Sequence, residues 1–249
     1  MTGNTFNNSA YLANTATLGG GVTIGGGGGT STPHLNYTIS NNTFKFAKNI
    51  NFGVAMSGGT ADFTGTISNN TFGTATEAGS GSDGYGLNFN LQGNGTSKAT
   101  IQNNSMYHYK DAGLYIVVNR GTADYAGVSA KFQITGNTVG SPDAPNVGQG
   151  TAGLGADIGF NSTDASVACL DISGNTMNGS KPTNGSADVL MGATGGGFID
   201  MPSYPVVSDN GAASVNYIQG RNVNGASTTV LAVSTLANHF RQVAAGACA

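Results

Sequence analysis

The residues of this chain that could do chemistry are few, and they lie on short segments in which apolar and polar residues alternate. The chain has 9 Lys and Arg, 12 Asp and Glu and 3 His among its 249 residues. When the segments are aligned by their apolar positions, one polar position of each falls in a single outward column. The members of this column are Thr23, Asn51, Asn88, Tyr115, Asp157 and Asp188.

Such a column predicts a ligand site. Neighbouring strands lie about 4.8 Å apart, so Asp157 and Asp188 would stand close enough for their charges to repel. A bound cation such as Ca²⁺, a shared proton or a hydrogen-bonded sugar would relieve that repulsion. Lys110 and Arg120 flank the strand of Tyr115 and would add charge beside its ring. The alternative is an ordinary solvated polar face, and no cofactor other than calcium is predicted.

A second candidate is the segment Tyr107-His108-Tyr109-Lys110-Asp111. It could supply a base and aromatic rings that stack on a sugar. The alternative is a loop whose tyrosines cover the wall of the fold. Both interpretations stay open from the sequence.

Motifs of polysaccharide-cleaving enzymes are missing from the sequence. It has no Asp-Asp, His-Gly-His or Arg-x-Lys phrase that would signal such a site, and no motif indicates the paired carboxylates of glycoside hydrolysis. The glycine run Gly25–Gly29 carries neither the Asp of a calcium-binding repeat nor the Lys of a phosphate-binding loop. We therefore assign no catalytic residue and favour a non-catalytic role.

The elements that must position these residues follow from a repeated phrase of the form apolar-x-x-Asn-x-apolar. Its clear copies are Ile39–Phe44, Ile67–Phe72, Ile101–Met106, Ile134–Val139 and Ile172–Met177. Met1–Phe6 also fits, and Tyr217–Val223 is a distorted copy. Successive copies from Met1 to Ile172 start 28 to 38 residues apart. A fixed phrase with a variable period favours a β-solenoid, because loops of different length can bulge from a constant cross-section.

The asparagine of each phrase is predicted to point inward at a corner. Stacked asparagines can donate to one neighbour and accept from the other, which satisfies polar groups that are costly when buried and unpaired. The predicted ladder consists of Asn42, Asn70, Asn104, Asn137 and Asn175. The alternative is that Asn-Asn and Gly-Asn only mark ordinary turns.

Two further strands per coil follow from alternation with a period of two residues. The second strands are Val22–Ile24, Ile50–Val54, Leu87–Leu91, Leu114–Val118, Ala156–Phe160 and Ala187–Met191, and examples of the third are Lys131–Ile134 and Ala168–Ile172. The sequence therefore predicts an all-β chain that forms a right-handed parallel β-helix. We expect three strands per coil and six to seven coils.

The two ends are predicted to differ. Residues 1–197 would form the coils, and because Met1 begins inside a phrase, we expect this end to be cut from a longer chain. Residues 198–249 would form an irregular last coil and a C-terminal cap, with weak helical character over Thr229–Arg241. A disulfide between Cys169 and Cys248 would fix the cap, with about 4 kcal/mol expected from chain entropy; two reduced thiols are the alternative.

Composition excludes two classes of partner. The net charge of −3 and the scattered Lys and Arg give no footprint for nucleic acid. No apolar run approaches the roughly 20 residues of a membrane-spanning helix, so membrane insertion is not predicted.

The asparagine-containing coils resemble the right-handed β-helix repeats of pectate-lyase-like proteins and of bacterial surface and autotransporter-type passengers. The stretch from Cys169 to Asn175, with Met201–Tyr204, Gly220–Asn222 and Cys248, is similar to the C-terminal module of large bacterial β-strand-repeat proteins. This resemblance covers nearly the whole chain, and its motifs specify architecture rather than chemistry.

The function expected from these observations is that of a secreted or bacterial cell-surface module, adhesin-like or structural. Its regular outer faces would contact glycans, host or matrix surfaces, or further copies of the chain. One alternative is a polysaccharide lyase or glycoside hydrolase that acts on an outer sheet face. Another is a self-assembling filament or coat subunit joined through its ends.

Overall fold

The computed structural model describes residues 1–7, 21–29, 31–119, 126–140, 156–163, 165–178, 188–224, 230–234 and 238–249, of which 156–163 and 230–234 are described by their backbone. The described chain is almost entirely β-structure, in three sheets, with one short helix. No helix in these residues has the length and hydrophobicity needed to cross a membrane. The predicted all-β class is confirmed.

Seven strands of each sheet run parallel and pair in chain order, and sheet 3 has in addition the short antiparallel strand β19 (Ser208–Asp209), which pairs with β22 (Phe240–Val243) at its edge. Sheet 1 contains β1 (Thr5–Asn7), β4 (Thr43–Lys45), β7 (Thr71–Phe72), β10 (Ser105–Tyr107), β13 (Thr138–Gly140), β16 (Thr176–Asn178) and β20 (Val223–Asn224). Sheet 2 contains β2 (Val22–Gly26), β5 (Ile50–Ser57), β8 (Tyr85–Gln92), β11 (Ala112–Asn119), β14 (Ala156–Thr163), β17 (Val189–Thr194) and β21 (Val230–Ser234). Sheet 3 contains β3 (His34–Ser40), β6 (Asp62–Ser68), β9 (Thr96–Gln102), β12 (Ser129–Thr135), β15 (Val167–Ser173), β18 (Phe198–Pro202) and β22 (Phe240–Val243).

The chain visits the three sheets in a fixed rotation. Strands β1, β2 and β3 belong to sheets 1, 2 and 3, and the next three strands repeat that order. We call one such pass a rung, so that β1–β3 form the first rung and β20–β22 the last. Every second strand predicted from alternation overlaps a strand of sheet 2, and both examples of the third strand overlap a strand of sheet 3. Ala187, the first residue of one predicted second strand, lies outside the described residues.

Alternation within each strand places one set of side chains in the core. In β11, Leu114, Ile116 and Val118 are buried, while the residues between them are partly exposed. Sheet 1 contributes a stack of aromatic rings, in which Phe44 lies between Phe6 at 4.9 Å and Phe72 at 5.1 Å between ring centroids. These inward faces together form one hydrophobic core.

The corner between sheet 3 and sheet 1 is built by the repeated phrase. The residue before each ladder asparagine has a positive φ, near 56° at Asn41, Asn69 and Asn103 and 66° at Gly136 and Gly174. Asn and Gly are the residues that adopt this left-handed conformation most readily. This backbone requirement explains why the third position of the phrase is always Asn or Gly in the clear copies.

The side chains that follow these turns form the predicted asparagine ladder. The Nδ2 of each asparagine donates to the Oδ1 of the asparagine on the next rung at 2.9 to 3.1 Å. The same Oδ1 also accepts the backbone N–H of the first asparagine, again at 2.9 to 3.1 Å. The ladder runs through Asn4, Asn42, Asn70, Asn104, Asn137, Asn175 and Asn222. The distorted copy around Asn222 is therefore a true member.

The C-terminal segment continues the three sheets. Strands β18, β20, β21 and β22 extend them, and only helix α1 (Ser214–Gln219) and the short antiparallel strand β19 (Ser208–Asp209) depart from the pattern. The helical character predicted over Thr229–Arg241 is wrong, because residues 230–234 and 240–243 are strands. The pairing of β21 with β17 and of β22 with β18 outweighs the weak local preference of these residues for a helix. The boundary near residue 198 stays a prediction.

The Cys169–Cys248 disulfide is confirmed. Its Cα atoms lie 5.1 Å apart and its ends are 79 residues apart in the chain. Cys169 lies in β15 between the core residues Ala168 and Leu170, so that its side chain points to the outer face of sheet 3. The bond therefore fastens the C-terminal tail to the outside of that sheet.

Candidate functional site

The predicted outward column is divided into two columns by the strand register of sheet 2. Asn88 lies opposite Gly53 on one side and Tyr115 on the other, and Thr23 lies opposite Gly53. Asn51 is two residues away from this column along its strand. Alternation alone does not determine the register of two strands to better than two residues, because a shift of two residues keeps every apolar side chain on the same face.

Asp157 and Asp188 also belong to the column of Asn51 rather than to that of Tyr115. They immediately precede the paired residues Ile158 and Val189, so the two aspartates do occupy neighbouring positions, as predicted. Asp188 is only 2% exposed, so it is not part of an open polar face. The Asp157 side chain and the whole of Arg120 lie outside the described residues.

The predicted calcium site on these aspartates stays a prediction. Within the described ranges, no group of three His, Cys, Asp or Glu side chains is placed to hold a metal ion. Asn51 is 1% exposed, and neither of its amide atoms has a hydrogen-bond partner in the described part of the chain. Asn51 is therefore a buried side chain rather than part of a solvated site.

The structure instead gathers charged side chains at the corner between sheet 1 and sheet 2 on three successive rungs. Isolated parallel bridges join Ala47 to Ser82 and Ser82 to Tyr109. The residues that follow each of these three are Lys48, Asp83 and Lys110, which therefore stack in one column. Together with Asp111, we call this group the charged corner.

Ion pairs connect the rungs within the charged corner. Lys48 Nζ lies 3.1 Å from Asp83 Oδ2, and Lys110 Nζ bonds to Asp83 Oδ1. The Asp83 side chain is 9% exposed, whereas the two lysine side chains are 27% and 30% exposed. The Asp83 carboxyl group is therefore shared between the lysines of the two neighbouring rungs.

Asp111, unlike Asp83, has a carboxyl oxygen that no described group bonds to. Its side chain is buried, and its Oδ1 has no hydrogen-bond partner among the described residues. Burial raises the pKa of Asp111 to about 6, and the nearby charge of Asp83 adds to this effect while Lys110 opposes it. The Asp111 carboxyl group can therefore gain or lose a proton near pH 6.

Two tyrosines border the charged corner on the outer face of sheet 2. The rings of Tyr85 and Tyr115 stack with centroids 4.6 Å apart and planes within 9°. Both side chains are partly exposed. Asn88 Nδ2 lies 3.4 Å from the Tyr115 carbonyl oxygen. Burial raises the pKa of Tyr85, and the nearby Tyr115 and Asp111 make smaller contributions in the same direction.

The segment from Tyr107 to Asp111 is divided between two environments. Tyr109 is completely buried in the core and is therefore not available for stacking on a sugar. His108 has a φ of 55° and turns the chain, with Nε2 at 3.4 Å from the Ala75 carbonyl oxygen. Only Lys110 and Asp111 of this segment belong to the charged corner.

No sequence pattern described above points to Lys48, Asp83 or Tyr85 as a site residue. One signal could have identified them, since Lys48, Asp83 and Lys110 each precede the first residue of a sheet 2 strand by two positions. Counting back from the strand starts would have aligned these residues. Aligning only the interiors of the strands does not include the corner.

The arrangement has the components of a polar recognition site. The tyrosine pair offers aromatic surface, and the partly exposed Lys48 and Lys110 offer donors, all on one side of three rungs. Asp111 can donate a proton or a hydrogen bond below pH 6 and accept one above it. These groups suit a ligand that has both apolar faces and many hydroxyl groups.

These features define an all-β protein with three parallel sheets, an inner asparagine ladder and one charged outer corner. No protein-family model, no curated protein and no solved structure matches the chain.

Proposed function

We propose that the protein is a right-handed parallel β-helix that acts as a non-catalytic, secreted or cell-surface module and binds glycans at the charged corner. The rotation of the chain through three parallel sheets supports the β-helix, because each strand pairs with the strand of the next rung. Connections between parallel strands of one sheet are right-handed in about 98% of cases, which supports the proposed handedness.

The single observation that carries glycan binding is the stacked, partly exposed pair of Tyr85 and Tyr115 beside the charged corner. Sugar rings present C–H faces that pack on aromatic rings, and hydroxyl groups that bond to carboxylates, amides and ammonium groups. Tyrosine is suited to this role because it combines an apolar ring with a polar tip. Lys48 and Lys110, both partly exposed, provide donors on the same side of the rungs.

The disulfide supports a location outside the cytoplasm. Structural disulfides persist in oxidising compartments and are rare in reducing ones. The Cys169–Cys248 bond closes a loop of 79 residues, which makes it a structural rather than a local feature.

Glycan binding is tested with an array of bacterial and host polysaccharides, followed by titration of the best ligand against Tyr115→Ala. We expect at least a tenfold loss of affinity, since removing one stacked aromatic ring from a binding site costs about 1.5 kcal/mol or more. Tyr115→Phe should retain binding because it keeps the ring. Equal affinities of the wild type and Tyr115→Ala would contradict the proposed site, provided that both have the same circular dichroism spectrum.

A matched control is Tyr107→Ala, which removes a partly exposed tyrosine from sheet 1 rather than sheet 2. It should leave the titration unchanged. A loss equal to that of Tyr115→Ala would move the binding face to another part of the molecule.

A second candidate function is cleavage of a polysaccharide, and the raised pKa of Asp111 favours it. A carboxyl group with a pKa of about 6 can act as a general acid near neutral pH. Release of reducing sugar or unsaturated uronate from the same polysaccharides tests this function. Cleavage that declines above pH 6 and disappears in Asp111→Asn would favour the enzyme, whereas binding without any release favours the module.

A further inference from the structure

The outer face of sheet 3 carries a groove on strands β3, β6 and β9. Its volume is about 540 Å³, and six of the residues that line it have side chains that point away from the core. These residues are Asn36, Thr38, Thr64, Thr66, Lys98 and Thr100. Five of them are neutral and can both donate and accept hydrogen bonds, and the sixth is a lysine. The groove therefore offers the polar groups that a hydroxyl-rich ligand needs, together with a positive charge.

The strand register arranges these six residues in two columns. One column consists of Asn36, Thr64 and Lys98, and the other of Thr38, Thr66 and Thr100. The columns are two residues apart along every strand, which is roughly 7 Å at about 3.3 Å per residue. The groove therefore runs across the strands, in the direction in which the rungs stack. An extended chain can lie in it between two rows of hydrogen-bonding groups.

The lysine of the groove lies beside a second lysine. Lys98 on β9 is the register partner of Lys131 on β12, and both side chains are exposed. In the described part of the chain, neither lysine forms an ion pair with an acidic side chain. Like charges directly opposite each other on neighbouring strands destabilise a sheet. The two ammonium groups therefore repel each other, and an anion bound between them would remove that cost.

The acidic residues on the two neighbouring strands already have partners. Asp62 on β6 accepts a hydrogen bond at Oδ1 from Thr96 Oγ1 at 2.8 Å. Asp171 on β15 accepts one at Oδ1 from Arg221 Nη2 at 2.5 Å. The lysine pair is thus a positive site that the described acidic side chains of this face do not neutralise.

We infer that the outer face of sheet 3 is a second binding site, for a glycan chain that carries sulfate groups. The sugar hydroxyl groups bond to the two columns of the groove, and a sulfate group binds between Lys98 and Lys131. This site goes beyond the proposed function, because it lies on sheet 3, whereas the charged corner lies between sheets 1 and 2. Either site can therefore fail without the other.

The kind of cation favours sulfate over carboxylate as the anionic group. Arginine is preferred where a planar carboxylate is bound through two parallel hydrogen bonds, whereas lysine acts as a point charge and suits a tetrahedral oxyanion. The described arginines, Arg221 and Arg241, are each paired with an aspartate. Because most of the groove lining is neutral, it also fits sugar hydroxyl groups better than the continuous charge of a polyphosphate.

The test is titration of the full chain with two sulfated glycans, dextran sulfate and κ-carrageenan, by calorimetry at about 0.15 M salt, where long-range attraction between charges is screened. At least one of them should bind, and neutral dextran should not. Lys98→Gln and Lys131→Gln should each weaken binding about fivefold, the upper end of what an exposed charge pair contributes. Thr66→Val should also weaken binding, because it removes a hydroxyl group from the groove without changing the charge.

The matched control is Lys45→Gln, which removes the same charge from sheet 1, where Lys45 Nζ lies 2.7 Å from Glu77 Oε2. It should leave the dissociation constant unchanged, and so should Tyr115→Ala at the charged corner. Urea denaturation checks that the variants are folded. Removing one lysine of the repelling pair should not lower the midpoint, so a loss of binding cannot be ascribed to unfolding.

Four results would overturn the inference. The first is no binding of either sulfated glycan, and the second is equal affinity of the wild type, Lys98→Gln and Lys131→Gln. The third is an equal loss in Lys45→Gln, which would mean that only net charge matters. The fourth is binding of polygalacturonate or polyphosphate as tight as that of the sulfated glycans, which would contradict the assigned class of ligand.

Discussion

Two corners of the same rungs use polar side chains in opposite ways. At the corner between sheets 3 and 1, Asn104 makes every hydrogen bond that its amide can make with neighbours on both sides. At the corner between sheets 1 and 2, Asp111 is buried with an oxygen that no described donor reaches. The first corner satisfies its polar groups within the stack, whereas the second leaves a group that a ligand could satisfy.

The difference separates structural from functional use of the same fold. A repeated, fully bonded ladder lowers the free energy of every rung and needs no partner. An unsatisfied carboxyl group next to ion pairs destabilises the folded state, and such groups occur in proteins mainly where function requires them. One change outside the two corners and one change within each of them are expected to affect stability to different extents.

The largest expected effect on the free energy of unfolding comes from removing the disulfide. Replacing both Cys169 and Cys248 by Ser removes a cross-link over 79 residues, which should lower the free energy of unfolding by about 4 kcal/mol in the chain-entropy model. Urea denaturation of oxidised and reduced wild type and of the double variant measures the change. Equal midpoints would mean that the tail contributes nothing to the stability of the stack.

The next effect comes from breaking the ladder at its centre. Asn104→Ala removes an acceptor from Asn70 and a donor to Asn137 in the buried corner, so we expect a loss of about 3 kcal/mol because buried groups are left unpaired. The matched control is Asn103→Gly at the adjacent exposed turn. Glycine adopts the φ of 55° freely, so this variant should change stability by less than about 0.5 kcal/mol.

The smallest effect has the opposite sign and depends on pH. The pKa of Asp111 is about 6 in the folded protein and about 3.9 in an unfolded chain. The folded state therefore binds more protons between these values, and its stability falls as the pH rises from about 4 to 6. Asp111→Asn should raise the free energy of unfolding by about 2 kcal/mol at pH 7.5 and leave it nearly unchanged at pH 4.

Urea denaturation at the two pH values provides its own control, because the same variant is compared with the wild type under both conditions. A gain of equal size at pH 4 and pH 7.5 would mean that packing, rather than ionisation, causes it. No gain at either pH would mean that the Asp111 carboxylate is satisfied.

The inner corner could be predicted from the sequence because several requirements meet in one short phrase. A left-handed turn at Asn or Gly, an inward Asn and apolar residues on both sides fix the register without ambiguity. The strand interiors carry only alternation, which leaves shifts of two residues open. For this reason the repeated phrase predicts the five ladder asparagines correctly, whereas alternation alone assigns Asn51 to the column of Asn88 and Tyr115.

The alternating pattern does not predict the charged corner, for a different reason. Lys48 and Asp83 lie outside the alternating segments, and the loops before them differ in length from rung to rung. Only the stacking of rungs brings Asp83 between two lysines. The helix at Ser214–Gln219 was also missed, since its six residues are too few to produce a recognisable helical period.

The ladder is tested most directly by hydrogen exchange of asparagine side-chain amides, measured by NMR on the uniformly ¹⁵N-labelled protein. The account predicts slow exchange for the Nδ2 protons of Asn70, Asn104 and Asn137, which are 1% exposed, and fast exchange for the exposed Asn69 and Asn103 beside them. Exchange at the same fast rate in both groups would contradict the inner ladder and the stacking of rungs that depends on it.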